Sequence, residues 1–335
     1  METPTRRREY SLTGPEGDRA VERGLTDGDW YKSPIDRTAM LQLMARTNGR
    51  ASRDLVLWIA LLAGSGSWLV ISWMSWWTVP AAVVYGVLYG SASDARWHEC
   101  GHRTAFASKR MNEIVYHLAS FMDLREPVSW RWSHNRHHSE TIIVGRDPEI
   151  AFPRPLPRWK IAAEFFGLLS ARKEFSKYAL NVIGRIPADV ATYLPPRETS
   201  RAIFWGRLHA ATWMSVVVAS IASGSWLPLM MVGLPSFYGR WLMMLTGITQ
   251  HAGLDEDTLD HRRNTRTVIM NPIIRFLYSN MNYHLEHHMY PSVPYHRLPE
   301  LHRLIAADLP APAPSMWAAY REILPALRSI RRQYP

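Results

Sequence analysis

One cysteine, Cys100, stands in 335 residues, so no disulfide can close within the chain and a disulfide-stapled fold is excluded. Charge is missing more selectively. Residues 55–93 and 208–239 contain no Lys, Arg, Asp or Glu. At the chain-wide frequency of 20% those 71 positions would carry about 14 charges. No apolar core follows Arg6, Arg7 and Arg8, so Met1 to Ala20 does not read as a signal peptide. No Gly-rich dinucleotide fingerprint follows a strand-like run, which removes a nicotinamide or flavin site of that kind.

The empty windows read as membrane. A bilayer core takes about 20 mostly apolar residues per helix, because unpaired backbone groups cannot be left in hydrocarbon. Each window therefore fits a helical hairpin, with spans at about 55–75, 80–96, 208–226 and 229–250. A tight turn is expected around Trp76 to Val79, with Arg240 reaching an interface. Trp58, Trp68, Trp73, Trp76 and Trp77 suit interfacial anchoring. Two hairpins leave both termini and the long middle segment on one side. That side holds all 39 basic residues, and their excess makes it cytoplasmic. The net charge of +10 is then topology and attraction to anionic lipid, and needs no nucleic acid to explain it.

The organisation expected is all-α. Residues 1–35, rich in Gly, Pro and charge, read as a loosely ordered leader, and Ser33-Pro34 with Asp36 as the start of a short helix. Residues 36–308 form one polytopic domain, four transmembrane helices under a cytoplasmic His-rich helical cap. Within it, Pro153, Pro155 and Pro157 separate a His-rich part from a segment, 157–195, suited to lie on the membrane surface. Residues 309–335 supply a Pro/Ala linker and an amphipathic helix over Met316 to Ile330.

Eight of the 14 histidines fall in three short patterns: His98 and His102; His134, His137 and His138; His284, His287 and His288. On a helix, positions i, i+3 and i+4 share one face, so each pattern presents its imidazoles together. Eight convergent rings exceed the three or four ligands of one zinc and suit two ions, although spacing does not choose among iron, copper, zinc and nickel. The first cluster begins five residues after the first empty window, and Gln250-His251 holds the matching place after the fourth span. The metals thus belong at the cytoplasmic mouth of the bundle, where an apolar substrate enters from lipid. His98-Glu99-Cys100-Gly101-His102 also satisfies the zinc protease pattern, with Glu99 as base, but that reading leaves both other clusters without a purpose.

The stretch from His98 to Phe106 resembles the first histidine box of the membrane fatty acid desaturase and hydroxylase family. His134 to His138 resembles the second, and Asn282 through His284, His287 and His288 to Met-Tyr-Pro-Ser-Val-Pro the third. The resemblance runs from about residue 55 to 305. It implies a four-helix membrane bundle and two iron ions held by His98, His102, His134, His137, His138, His284, His287 and His288, with His251 as the best-placed ninth ligand. It further implies O2 as co-substrate and removal of hydrogen from an unactivated C–H bond, giving a double bond or an alcohol. The segment from Gln250 through Asp260 to Arg266 resembles a bacterial branch that includes a proposed rhizopine oxygenase working with a ferredoxin, which would admit a small polar or conjugated substrate. A bacterial inner membrane is the location this implies.

Ligating histidines usually donate their second N–H to a carboxylate or carbonyl. Asp94, one turn before His98, and Asp147, after the second cluster, are the candidates; Glu149, Asp255 and Asp257 read as solvated surface acids. No His-Pro-Gly-Gly motif of a fused b-type cytochrome is present. Electrons must then come from a separate ferredoxin or b-type cytochrome with its reductase, and Arg125 to Arg136 and Arg262 to Arg266 offer basic faces for it. The reading is an acyl-chain desaturase on a lipid. The alternatives are a hydroxylase or oxidative demethylase on the same irons, a membrane zinc protease, and a non-catalytic metal-binding membrane protein.

Overall fold

The structure is a computed structural model that describes residues 8–150, 153–154 and 158–333, and it is all-α. The bridges found among the described residues pair Thr267 with Tyr283 and Val268 with Ala313. Residues 1–7 of the expected leader, and Pro155 and Pro157 of the expected break, lie outside the described residues.

The first empty window folds back on itself. Gly49–Ile71 is a 23-residue helix, about 35 Å long at 1.5 Å per residue. It is the one described helix both long and apolar enough to cross a membrane, and only 22% of its most apolar stretch is buried. Its chain reverses at residues 72–77, where Ser72 O accepts from Ser75 N at 2.9 Å. Helix then resumes without a break from Thr78 to Gly101, passing through a π-helical turn at Val87–Ser91. The turn sits where backbones meet: a Cβ on Gly90 would overlap the Pro235 carbonyl, and one on Gly239 the Gly86 carbonyl. Ser91 Oγ closes the contact, donating to Gly239 O at 2.5 Å and accepting from Met243 N at 2.9 Å. A widened turn of this kind rotates the helix beyond it, here Ala92–Gly101 with the first histidines.

The second window departs from expectation. Thr199–Ser223 is a 25-residue helix stopped by Gly224 in the left-handed region. The return segment expected as one helix over 229–250 is instead three pieces, Leu227–Met231, Pro235–Tyr238 and Trp241–His251. Pro228 and Pro235 remove backbone donors, and Gly233 at φ 104° turns the chain against the face of Trp213. Arg240 does not reach an interface. It is buried, with Nη2 3.5 Å from Glu164 Oε1.

The leader is not loose over its described part. Tyr10 OH donates to Glu256 Oε1 at 2.7 Å, Arg8 and Arg23 both pair with Asp257, and Trp30 stacks on His261 at 4.1 Å. Asp36 caps Arg37–Leu43 by accepting from Ala39 N at 2.9 Å. Near the other end, Met316–Gln333 buries Ala319 and Ile323 in the main core beside Ile248, Met281, Leu285 and Leu298. That core surrounds the histidines.

Candidate metal centre

Each histidine cluster is held by a helix with a defined start or end. His98 lies in the last turn of Ala92–Gly101, and His102 caps that helix. Pro127–Ser139 begins at Glu126, whose carboxylate accepts from Val128 N and Ser129 N at 2.7 Å each, and it carries His134, His137 and His138. His284–Met289 carries His284, His287 and His288, while His251 ends Trp241–His251.

The nine rings sort into two groups. His98, His102, His134, His138 and His287 form one; His137, His251, His284 and His288 form the other, and within each the nearest ligand atoms all lie within 4.8 Å of one another. The sequence patterns are therefore divided between the groups. In the second cluster the i and i+4 rings enter the five-histidine group and the i+3 ring the other; in the third cluster the assignment is reversed. The rings meet through Nε2. That of His134 is 3.0 Å from His102 Nε2 and 3.2 Å from His138 Nε2, and His138 Nε2 is 3.2 Å from His287 Nε2. In the four-histidine group, His284 Nε2 is 3.1 Å from both His251 Nε2 and His288 Nε2.

On four rings the other nitrogen faces outward to a partner. His134 Nδ1 is 3.0 Å from Glu149 Oε2, His137 Nδ1 2.8 Å from Asp147 Oδ2, His251 Nδ1 2.8 Å from Asn264 O, and His288 Nδ1 3.1 Å from Thr141 Oγ1. A carboxylate or carbonyl can only accept, and Thr141 Oγ1 donates its own proton to His137 O at 2.6 Å, so on these four rings the proton sits on Nδ1 and Nε2 is left as a lone pair. Nδ1 of His138 and of His284 and both nitrogens of His98 are buried without a hydrogen-bond partner, and four or five ring nitrogens converging 3.0–3.2 Å apart cannot all satisfy one another. A cation at each convergence gives those nitrogens a common partner, and a histidine donor set suits iron, copper, zinc or nickel. The residues fit two such ions.

Electrostatics keep the rings in the binding form. Burial, then the charges of neighbouring rings, hold His98, His134, His138, His284, His287 and His288 well below the ordinary histidine value. Burial and nearby cations bring His102 down to about 3. His137 differs: burial lowers it, but the Asp147 charge and hydrogen bond, with Glu149, outweigh that and raise it. Burial pushes the Glu149 carboxyl up to about 7 and Glu99 up to about 8.

Of the two acids expected behind the rings, Asp147 meets His137. Asp94 does not meet His98: it accepts from Arg125 Nη1 at 2.6 Å, and Arg125 in turn lies over the Trp97 ring at 3.9 Å. Glu149, read from sequence as a surface acid, is behind His134 and also accepts from Ser133 Oγ at 2.9 Å. Asp257 is likewise buried among Arg8, Arg23 and Val144 N, while Asp255 stays exposed and pairs with Arg263. Glu99 was visible only as a protease base, and its geometry removes that role. Its Oε1 lies 3.5 Å from His98 Nδ1 and 3.8 Å from His287 Nδ1, behind the rings and away from the Nε2 face. The expected basic face at Arg125–Arg136 turns inward: Arg125 and Arg131 stack on Trp97 and Tyr116, and Arg136 pairs with Glu140. Arg262 is paired with Asp260 and Asp308. A cavity of about 110 Å3 touches His137 and His251 and is walled in part by Glu149, Arg154, Gln250 and Glu256.

Residues 71–320 match the profile of the family described as fatty acid desaturase. A probable fatty acid desaturase of Sorghum bicolor is 24% identical over 84% of this chain and 73% of its own length. An acyl-lipid omega-3 desaturase (cytochrome b5) of the endoplasmic reticulum of Arabidopsis thaliana is 23% identical over 80% of this chain and 70% of its own. A Delta(8)-fatty-acid desaturase of the same plant is 19% identical over 65% of this chain, which spans only 55% of that relative.

Proposed function

The chain belongs to the fatty acid desaturase family, and from that premise we propose that it is an integral-membrane, O2-dependent diiron oxidoreductase that places a double bond in an acyl chain. The observation that carries this reading is the meeting of nine imidazoles at two adjacent points. Two irons held there, one by His98, His102, His134, His138 and His287 and one by His137, His251, His284 and His288, would supply what no side chain can: activation of O2 and removal of hydrogen from an unactivated C–H bond.

The protein's own part is to hold and to shield. Asp147, Glu149, Thr141 and the Asn264 carbonyl fix the Nδ1 protons and the ring orientations. Burial of the rings keeps water from the reacting chain. The balance is one saturated C–C unit, O2, two electrons and two protons giving one C=C and two waters. The electrons come from an external ferredoxin or b-type cytochrome with its reductase, and the name of the Arabidopsis omega-3 relative, which includes cytochrome b5, supports the second kind of donor.

Four spans in two hairpins, with both termini and the histidines on the cytoplasmic side, complete the reading. Its support is the apolar surface: Val56, Ile71, Trp76, Val79, Phe204, Met214, Val218, Ile221 and Trp226 are all more than half exposed, up to 93% for Trp76. A belt of that extent needs lipid to cover it. A second reading, hydroxylation of a small polar molecule as in the rhizopine-type branch, is favoured by the polar groups of Glu149, Arg154, Gln250 and Glu256 in the wall of the cavity at His137 and His251. Mass spectrometry of lipids and added metabolites, with and without expression, separates the two. Loss of two hydrogens from an acyl chain is the expected result; gain of one oxygen replaces the first reading with the second.

A further inference from the structure

We propose that a cationic cavity of about 310 Å3 at the charged end of the first apolar helix binds the phosphate headgroup of a membrane amphiphile. Gly49–Ile71 carries all its charge in its first turns, on Arg50, Arg53 and Asp54, and Leu55 opens the empty window. The cavity is set against this end. Arg50, Arg53, Arg96 and Arg275 line it, opposed by Asp54 and Glu99. Its volume lies at the lower end of ligand pockets, about 300 to 1,000 Å3.

The charges do not cancel. Arg53 pairs with Asp54 at 2.8 Å. Arg96 is buried and donates only to the carbonyls of Ala92, Leu277 and Phe276, which take three of its five hydrogens and leave its charge. Arg275 Nε donates to the neutral Asn280 Oδ1 at 2.9 Å. Arg50 has no ion-pair partner among the described residues. A fifth wall residue, His296, is 7% exposed and keeps Nε2 buried without a hydrogen-bond partner. Three unneutralised guanidinium groups around one space repel each other, and a tetrahedral anion with several acceptor oxygens answers them from separate directions. Leu55, Phe106 and Phe276 give the wall an apolar part as well, as a headgroup site at a bilayer edge requires.

This site is separate from the reacting position. Glu99 stands between them, and its Oε1 faces the Nδ1 side of His98 and His287, so a ligand here approaches the back of the rings. The phosphate part of the proposal rests on the cavity alone and survives the loss of the metal reading; the amphiphile part rests on the bilayer placement.

The test uses the full chain in uncharged detergent and reads binding by titration calorimetry with three probes: dihexanoyl phosphatidic acid, inorganic phosphate and dihexanoylglycerol. Phosphatidic acid is expected to bind, inorganic phosphate more weakly, and the uncharged glyceride not at all. Arg50→Gln should weaken phosphatidic acid about tenfold. Asp54→Asn should tighten it, because Arg53 is released while the Tyr295 OH, 2.8 Å from Asp54 Oδ2, keeps an acceptor. Opposite signs in the two variants cannot come from general misfolding. Inorganic phosphate binding as well as phosphatidic acid overturns the amphiphile part. No binding of either phosphate probe, or affinities unmoved by both substitutions, overturns the site.

Discussion

Glu149 Oε2 lies 3.0 Å from Nδ1 of His134, and that carboxylate decides which nitrogen of the ring can face a metal. With the proton held at Nδ1, the Nε2 lone pair points at His102 and His138. Glu149→Gln keeps the size of the side chain but removes the charge. The affinity of the five-histidine group for iron should fall about 10- to 100-fold, the range found for such outer partners. Competition with a chelator checks this, and an affinity equal to that of the unaltered chain would detach Glu149 from the metal.

His251 and His261 separate membership of the centre from nearness to it. Both rings lie close to His288, at 5.0 and 5.2 Å between centroids, but only His251 joins the Nε2 group; His261 stacks on Trp30. His251→Ala should bring iron toward one per chain, and His261→Ala should leave it near two. Equal losses from both, measured by elemental analysis of purified protein, would mean that the grouping is wrong.

The approach of Gly86, Gly90 and Gly239 is the packing on which the π turn depends. Gly239→Val inserts a side chain into the Gly86 carbonyl and should cost about 1–3 kcal/mol or more, as overpacking does. Gly247→Ala, where nothing lies within 4 Å of the new Cβ, should be neutral or stabilising by about 0.5–1 kcal/mol. Thermal unfolding in detergent compares them, and a Gly239→Val chain as stable as Gly247→Ala would remove the close contact.

These cases show what was legible in the sequence. The three boxes could be read because ligand spacing is local to a turn, and His251 because it follows the fourth expected span. The division of the rings into five and four could not, since it depends on how two helix ends present i, i+3 and i+4 to each other. Glu149 escaped for a related reason: the loop that returns it to His134 is set by Asp147, which accepts from Ile142 N at 2.7 Å and Glu149 N at 2.8 Å. The broken return helix was written in Pro228, Gly233 and Pro235, but counting charges passes over backbone signals. The leader looked loose because its partners, Glu256, Asp257 and His261, lie more than 200 residues away.

The metal-free chain should be most stable near pH 6.5. Eight rings of the two groups are held neutral below the ordinary histidine value of 6.5, so unfolding takes up protons on them at lower pH. Burial raises Glu99 and Asp123 to about 8 and Glu126 and Glu149 to about 7, so unfolding releases protons from these four above their ordinary values of 4.5 and 3.8. Between about pH 4.5 and 6.5 the eight outweigh the four and stability rises with pH. Above 6.5 the rings lose their weight in the balance, the carboxyl groups and His137, whose value is raised, come to dominate it, and stability falls. Urea midpoints of chelator-treated protein at pH 5, 6.5 and 8 test the sign; a steady rise to pH 8 would contradict it.

Iron content bears most directly on the two-centre account. Purified full-length chain, loaded with ferrous iron without O2 and freed of excess, should hold close to two irons, and His137→Ala should remove about one while the protein still inserts in membranes. One tightly held zinc per chain, or two irons retained after His137→Ala, would contradict it.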